Sequence, residues 1–196
     1  MFVLPEGLPL ELTPLAFLVG KWSGSGVISY QAKTNKIEQD FTQTIEFSYD
    51  EQPFLGYVAK TSLPDGTALP TEVGFWRLSK SPETADHGPG LLPGTGEKKI
   101  TTREQLETLR NATGGFDIEA SMLHPSGISE LYIGQTKDAR VDLSTDAVMR
   151  STSAKEYIAA TRMFGLVEGD LLWAWDIAAL GNPLASHASA RLERVE

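Results

Sequence analysis

The run Tyr157-Ile158-Ala159-Ala160-Thr161-Arg162-Met163-Phe164-Gly165-Leu166 is followed, after Val167, by Glu168-Gly169-Asp170 and then by Leu171-Leu172-Trp173-Ala174-Trp175-Asp176-Ile177-Ala178-Ala179. In the second run Leu171, Trp173, Trp175, Ile177 and Ala179 fall on every second residue, so they share one face of a strand. A glycine-bearing turn joins the two runs, and together they predict an antiparallel hairpin.

The same texture extends towards the amino terminus. Phe116, Ile118, Ala120 and Met122 alternate with Asp117, Glu119 and Ser121, the pattern of a half-buried strand. Phe41, Ile45 and Phe47 alternate with Thr42, Thr44, Glu46 and Ser48 ahead of the Asp50-Glu51-Gln52-Pro53 turn, and Phe54 to Thr61 returns. Pro64-Asp65-Gly66 makes the next turn, because proline presets φ and glycine accepts positive φ. Further strands are predicted at Phe75–Leu78, Ile128–Gly134 and Val141–Thr145, with a closing strand that carries His187. About ten short strands and little helix indicate an all-β antiparallel barrel or sandwich, and of the two a barrel leaves no exposed sheet edge. Thr13-Pro14 reads as N-cap and first residue of a short N-terminal helix before Gly20.

One domain spanning 1–196 is expected, with a loop insertion at 81–112 that is too rich in proline and glycine for regular structure. Within it Thr102 can cap a turn or two of helix over Thr101–Leu109.

Composition removes several functions. With 17 Lys+Arg against 26 Asp+Glu, the net charge of −9 repels phosphate backbones and anionic membrane surfaces, so no nucleic-acid or membrane partner is expected. No window approaches the roughly eighteen apolar residues of a membrane span, and Met1-Phe2-Val3-Leu4-Pro5-Glu6 lacks the features of a secretory signal. A cytoplasmic protein is the expectation. The absence of cysteine excludes disulfides, thiolate nucleophiles and Cys-ligated metals. G-x-S-x-G, the phosphate-loop pattern and H-E-x-x-H are all missing, and Gly94-Thr95-Gly96-Glu97-Lys98-Lys99 has the wrong spacing for phosphate. Asp40 and Glu46 read as solvated, and Trp173 and Trp175 as core.

Gly20-Lys21-Trp22-Ser23-Gly24-Ser25-Gly26 fits G-x-W-x-G-x-G where the short helix feeds the first strand. With Pro53-Phe54-Leu55-Gly56-Tyr57, Glu72-Val73-Gly74-Phe75, His124-Pro125-Ser126-Gly127-Ile128, Ala154-Lys155-Glu156 and Asn182-Pro183-Leu184 before His187, the chain resembles the nitrobindin family, β-barrels similar to fatty-acid-binding proteins that bind haem b. The resemblance implies one haem b per chain, with His187 as axial iron ligand and Lys155 beside a propionate. It further implies a ferric iron that binds nitric oxide and isomerises peroxynitrite to nitrate, making the chain a peroxynitrite isomerase if ferric haem is bound.

Gly20, Trp22, Gly24 and Gly26 are architectural in this reading: Trp22 plugs the barrel base, the glycines permit positive φ or close backbone approach, and Arg191 or Arg194 stacks on Trp22. His124, in a turn, and His87, in the insertion, are assigned to no metal.

The chain departs from the family pattern in three places. Tyr30-Gln31-Ala32-Lys33-Thr34-Asn35 lacks the proline of a Tyr-Pro-Thr segment, leaving Thr34 as the substitute for its threonine. Leu69-Pro70-Thr71-Glu72 lacks a pocket histidine, and the insertion at 81–112 sits at one barrel end where it could narrow the pocket. These changes keep two rival readings open: a barrel that carries a fatty acid or other apolar ligand without haem, and an interaction module using its insertion. A homodimer is compatible with all three.

Overall fold

The computed structural model describes residues 4–31, 35–81, 83, 85, 87–96 and 99–195, and Thr34 falls outside them. Ten strands form a closed antiparallel barrel: β1 (Gly20–Gln31), β2 (Lys36–Ser48), β3 (Leu55–Ser62), β4 (Glu72–Leu78), β5 (Phe116–His124), β6 (Ile128–Lys137), β7 (Arg140–Arg150), β8 (Tyr157–Val167), β9 (Asp170–Ala179) and β10 (Ala185–Arg194). Each strand pairs with its neighbours in sequence, and β1 closes the barrel on β10 with Trp22 opposite Arg194 and Gly26 opposite Ala190. The predicted hairpin is β8–β9. Its two-residue loop, Glu168 at φ 55° and Gly169 at φ 96°, has the positive φ at both positions that suits the twist of the flanking strands. None of the described helices is long and apolar enough to cross a membrane.

The N-terminal helix forms, but as a 3₁₀ helix over Leu10–Leu18 with Pro14 inside it rather than at its start. Thr13 is not the N-cap; its hydroxyl donates back to the Leu10 carbonyl at 2.7 Å. The three-residue period explains the choice of helix: Leu12, Leu15 and Leu18 align on one edge and are completely buried against the barrel base.

Trp22 seals that base as expected. It has no exposed surface, its Nε1–H donates to the Leu18 carbonyl at 2.7 Å, and the Arg194 guanidinium lies 4.1 Å from its ring centre. Arg194 is therefore the stacking partner, while Arg191 pairs with Asp170 at 2.5 Å on the outer surface. The motif glycines divide by cause. Gly20 takes a φ of 119°, whereas Gly24 and Gly26 lie where a Cβ would come within 2.2 Å of the Arg191 and Ser189 carbonyl oxygens of β10. Gly24→Ala and Gly26→Ala are accordingly expected to loosen the β1–β10 closure at a cost of about 1–3 kcal/mol each, read as a lowered urea midpoint.

β4 runs from the cavity end at Glu72 down to Leu78, so the chain enters the 81–112 segment at this closed base. Its helix α1 (Arg103–Glu107) is capped by Thr102 in a reciprocal capping box with Gln105, and Leu106 is buried. Lys80 Nζ meets Glu11 of the 3₁₀ helix at 2.7 Å. None of the described residues of 81–112 lines the cavity at the other end. The sequence left open which barrel end the insertion covers and whether it narrows the pocket; its described residues do not, because the chain leaves β4 at the opposite pole.

Candidate functional site

The base half of the barrel is filled by aromatic packing, with Trp76 edge-on to Phe47 at 5.3 Å and to Phe164 at 5.2 Å. The other half encloses a cavity of about 420 Å³ whose wall includes Ile28, Phe41, Trp173, Trp175, Ile177 and His187. Trp173 belongs to the buried core as expected, with Trp175 packed against that core, and both also line the cavity.

His187 reaches this space because β10 is irregular. Ala188, Ala190 and Leu192 are the buried, inward positions, so strict alternation would turn residue 187 outward. The pairing with β9 instead shifts between Ser186 and Ala188, leaving His187 as the extra residue of a bulge, a device that re-aims a side chain. Its Nδ1 is 3.1 Å from the Ser29 carbonyl oxygen, which fixes the proton on Nδ1 and leaves Nε2 with its lone pair; among the described residues Nε2 has no hydrogen-bond partner. Trp175 packs edge-on against the imidazole at 5.2 Å. Burial holds the His187 pKa below the usual histidine range, with Arg162 adding to the effect and Ser29 and Glu72 opposing it, so the ring is neutral at pH 7.

Lys155 lines the same cavity from the β7–β8 loop and is exposed at its rim. That loop is tied to the β5–β6 turn by Ser151 N–H donating to the Gly127 carbonyl at 2.9 Å. Leu69 and Pro70 line the cavity wall, and Tyr30 accepts from Asn182 Nδ2 at 3.4 Å.

The sequence reading missed a buried polar cluster on the cavity wall. Arg162 makes a bidentate pair with Glu72, Nη1 to Oε2 at 2.9 Å and Nη2 to Oε1 at 2.7 Å, and donates through Nε to the Tyr132 hydroxyl at 3.0 Å. Tyr57 donates to Glu72 at 3.0 Å. Glu130, with a fully buried side chain, accepts from Tyr132 at 2.6 Å, from Tyr157, and from His124 Nε2 at 2.7 Å. His124 Nδ1 lies 3.5 Å from Glu72, and its ring stacks on Trp175 at 6.1 Å. His124 is therefore a wall residue rather than an exposed turn histidine, whereas His87 is exposed in the base segment. Among the described residues no group of three or more His, Asp or Glu side chains could hold a metal ion. The signal that could have revealed the cluster is phase: Glu72, Glu130 and Arg162 all occupy inward positions of otherwise apolar strand faces.

Burial alone pushes the Glu72 carboxyl up, but the Arg162 charge and its hydrogen bonds, with His124 and Tyr57, bring it down to about 2. Glu130 is also held low: burial raises it, and His124, Arg162 and the two tyrosines outweigh that. A carboxyl depressed in the folded chain stabilises it fully above the unfolded pKa of about 4.3, and that contribution vanishes as pH falls towards 2. Urea midpoints are expected to drop steeply between about pH 4.5 and 2, and Glu72→Gln to lower the neutral-pH midpoint and flatten that dependence.

The site's composition fits haem. It offers a neutral imidazole oriented through its second nitrogen, an aromatic cavity and an ammonium at the rim.

Known proteins agree with this picture. A protein from Clavibacter michiganensis subsp. michiganensis is 51% identical over 199 residues, covering all of both chains, and one from Leifsonia xyli subsp. xyli is 51% identical over 198 residues with the same coverage; both are named peroxynitrite isomerase. The crystal structure of Rv2717c from M. tuberculosis shares the fold with a TM-score of 0.69 at 23% identity, covering 99% of this chain and 100% of that one. The model of the THAP4-like, heme-binding β-barrel domain matches residues 11–194, and the chain belongs to that family, the nitrobindins.

Proposed function

We propose that the chain binds one haem b through His187 Nε2, with Lys155 beside a propionate, and isomerises peroxynitrite to nitrate. The observation that carries the reading is the β10 bulge, which turns a histidine inward with Nδ1 already committed to Ser29. Haem held there would supply an electrophilic iron centre for the anion. The residues of the chain have correspondingly little proton chemistry to perform, since peroxynitrite and nitrate have the same atoms and charge. Their work is to hold the imidazole neutral and oriented, to pack the apolar cavity against water, and to place a cation at the rim. The names of the curated relatives support the same substrate.

A fatty-acid carrier fits less well. Arg162, the guanidinium on the cavity wall, already holds Glu72 in a buried bidentate pair, and a ligand carboxylate would have to displace it.

Titrating the purified chain with hemin should give a saturable Soret band at one equivalent. The loaded protein should then speed peroxynitrite decay in stopped flow while raising nitrate yield at the expense of nitrite. A Soret band without a change in product ratio would retain the haem and remove the isomerase.

A further inference from the structure

The cluster behind Trp175 is unusual in where it lies. Two carboxylates, Glu72 and Glu130, are buried with one guanidinium, Arg162, and with His124 between them, in the half of the barrel that adjoins the cavity; the base half is packed with Phe47 and Trp76 instead. Burying such charges is costly, and apolar packing of the kind found at the base would hold strands together at least as well. Trp175 connects the cluster to the ligand histidine: Arg162 lies 4.1 Å over its ring, His124 stacks on it at 6.1 Å, and His187 meets it edge-on at 5.2 Å. Glu72, His124 and Arg162 line the same cavity as His187, and in that largely apolar space fixed charges act more strongly than they do in water.

We propose that the Glu72–Arg162–Glu130–His124 cluster sets the ferric-to-ferrous balance of haem held on His187, the carboxylates favouring ferric iron and Arg162 opposing them across Trp175. The proposal rests on the haem reading above. Ferric haem carries one more positive charge than ferrous haem, so removing a buried carboxylate favours reduction and removing the guanidinium disfavours it. These are positioning residues acting through the field, and none is asked to touch the iron or its ligand.

The test is a spectroelectrochemical titration of the hemin-loaded full chain at pH 7. Glu130→Gln and Glu72→Gln are each expected to raise the ferrous-to-ferric ratio at a fixed applied potential about tenfold, equivalent to about 59 mV, and Arg162→Gln to lower it by a similar factor. A scaffold role alone would move all three in one direction, through a loosened pocket. The ferric Soret position and hemin affinity of each variant report whether His187 ligation is intact. If Arg162→Gln does not fold, the two glutamate variants decide. Shifts in the same direction for all three, or shifts below about threefold for both glutamate variants, overturn the proposal while leaving the haem reading in place. Absence of a Soret band in the unmodified protein overturns both.

Discussion

His187→Ala is expected to weaken hemin binding by more than about 100-fold, because loss of an outer-shell partner alone costs metal sites about 10–100-fold and this change removes the proposed ligand itself. The variant should still fold. His187 sits at a bulge and is only partly buried, and its one described hydrogen bond is to the Ser29 carbonyl near the barrel mouth. Hemin that still enters the apolar cavity should show a shifted, broadened Soret band, and added imidazole should restore the original spectrum by occupying the vacated space. An unchanged Soret band and affinity in His187→Ala would remove the ligand assignment. Lys155→Ala, by comparison, should have a small effect, since an exposed rim cation meets its partner in water.

Trp22→Ala should have the largest effect on stability, a loss of about 3–5 kcal/mol. The indole is fully buried, so its deletion leaves a cavity at the base that the flanking strands cannot close. It also strips the Leu18 carbonyl of its donor and leaves the Arg194 guanidinium without the ring it covers. Against a typical domain stability of about 5–15 kcal/mol this is a large fraction, and at about 2–4 °C per kcal/mol it corresponds to a fall in Tm of about 6–20 °C. Trp22→Phe should recover most of the packing but not the hydrogen bond. Equal melting temperatures for Trp22→Ala and the unmodified protein would contradict the role of Trp22 as the base plug.

Much of the barrel was legible along the chain because a strand is a local pattern. Alternation at Leu171–Ala179 and Phe116–Met122, and turn residues at Glu168-Gly169, located hairpins without reference to the rest of the molecule. The N-terminal helix was legible as a helix but not as a 3₁₀ helix. Its period is set by the need to point Leu12, Leu15 and Leu18 together at the barrel base, a demand that exists only once the barrel is closed.

The site divides in the same way. His187 was found through a motif match, yet alternation with Ala188 and Ala190 points it away from the interior, and a bulge that no local residue type announces brings it back. The cluster was legible only in part, for a different reason: phase puts Glu72, Glu130 and Arg162 on inward positions, but they are separated by 58 and 32 residues in the chain, and which counter-charge each one meets is decided across the barrel.

The approximate strand count and the hairpin turns were readable along the chain, since they follow from periodicity and turn chemistry, while the tryptophan-plugged base and the family came from the resemblance of several separate segments to known barrels. Pairing in three dimensions settled the rest. The direction of β4 starts the 81–112 segment at the pole opposite the cavity, a bulge in the β9–β10 pairing turns His187 inward, and the closed barrel gathers Glu72, His124, Glu130 and Arg162 into one buried cluster beside Trp175. Such placements depend on which residues meet across the barrel, and a buried charge can be kept only where partners from other strands arrive to satisfy it.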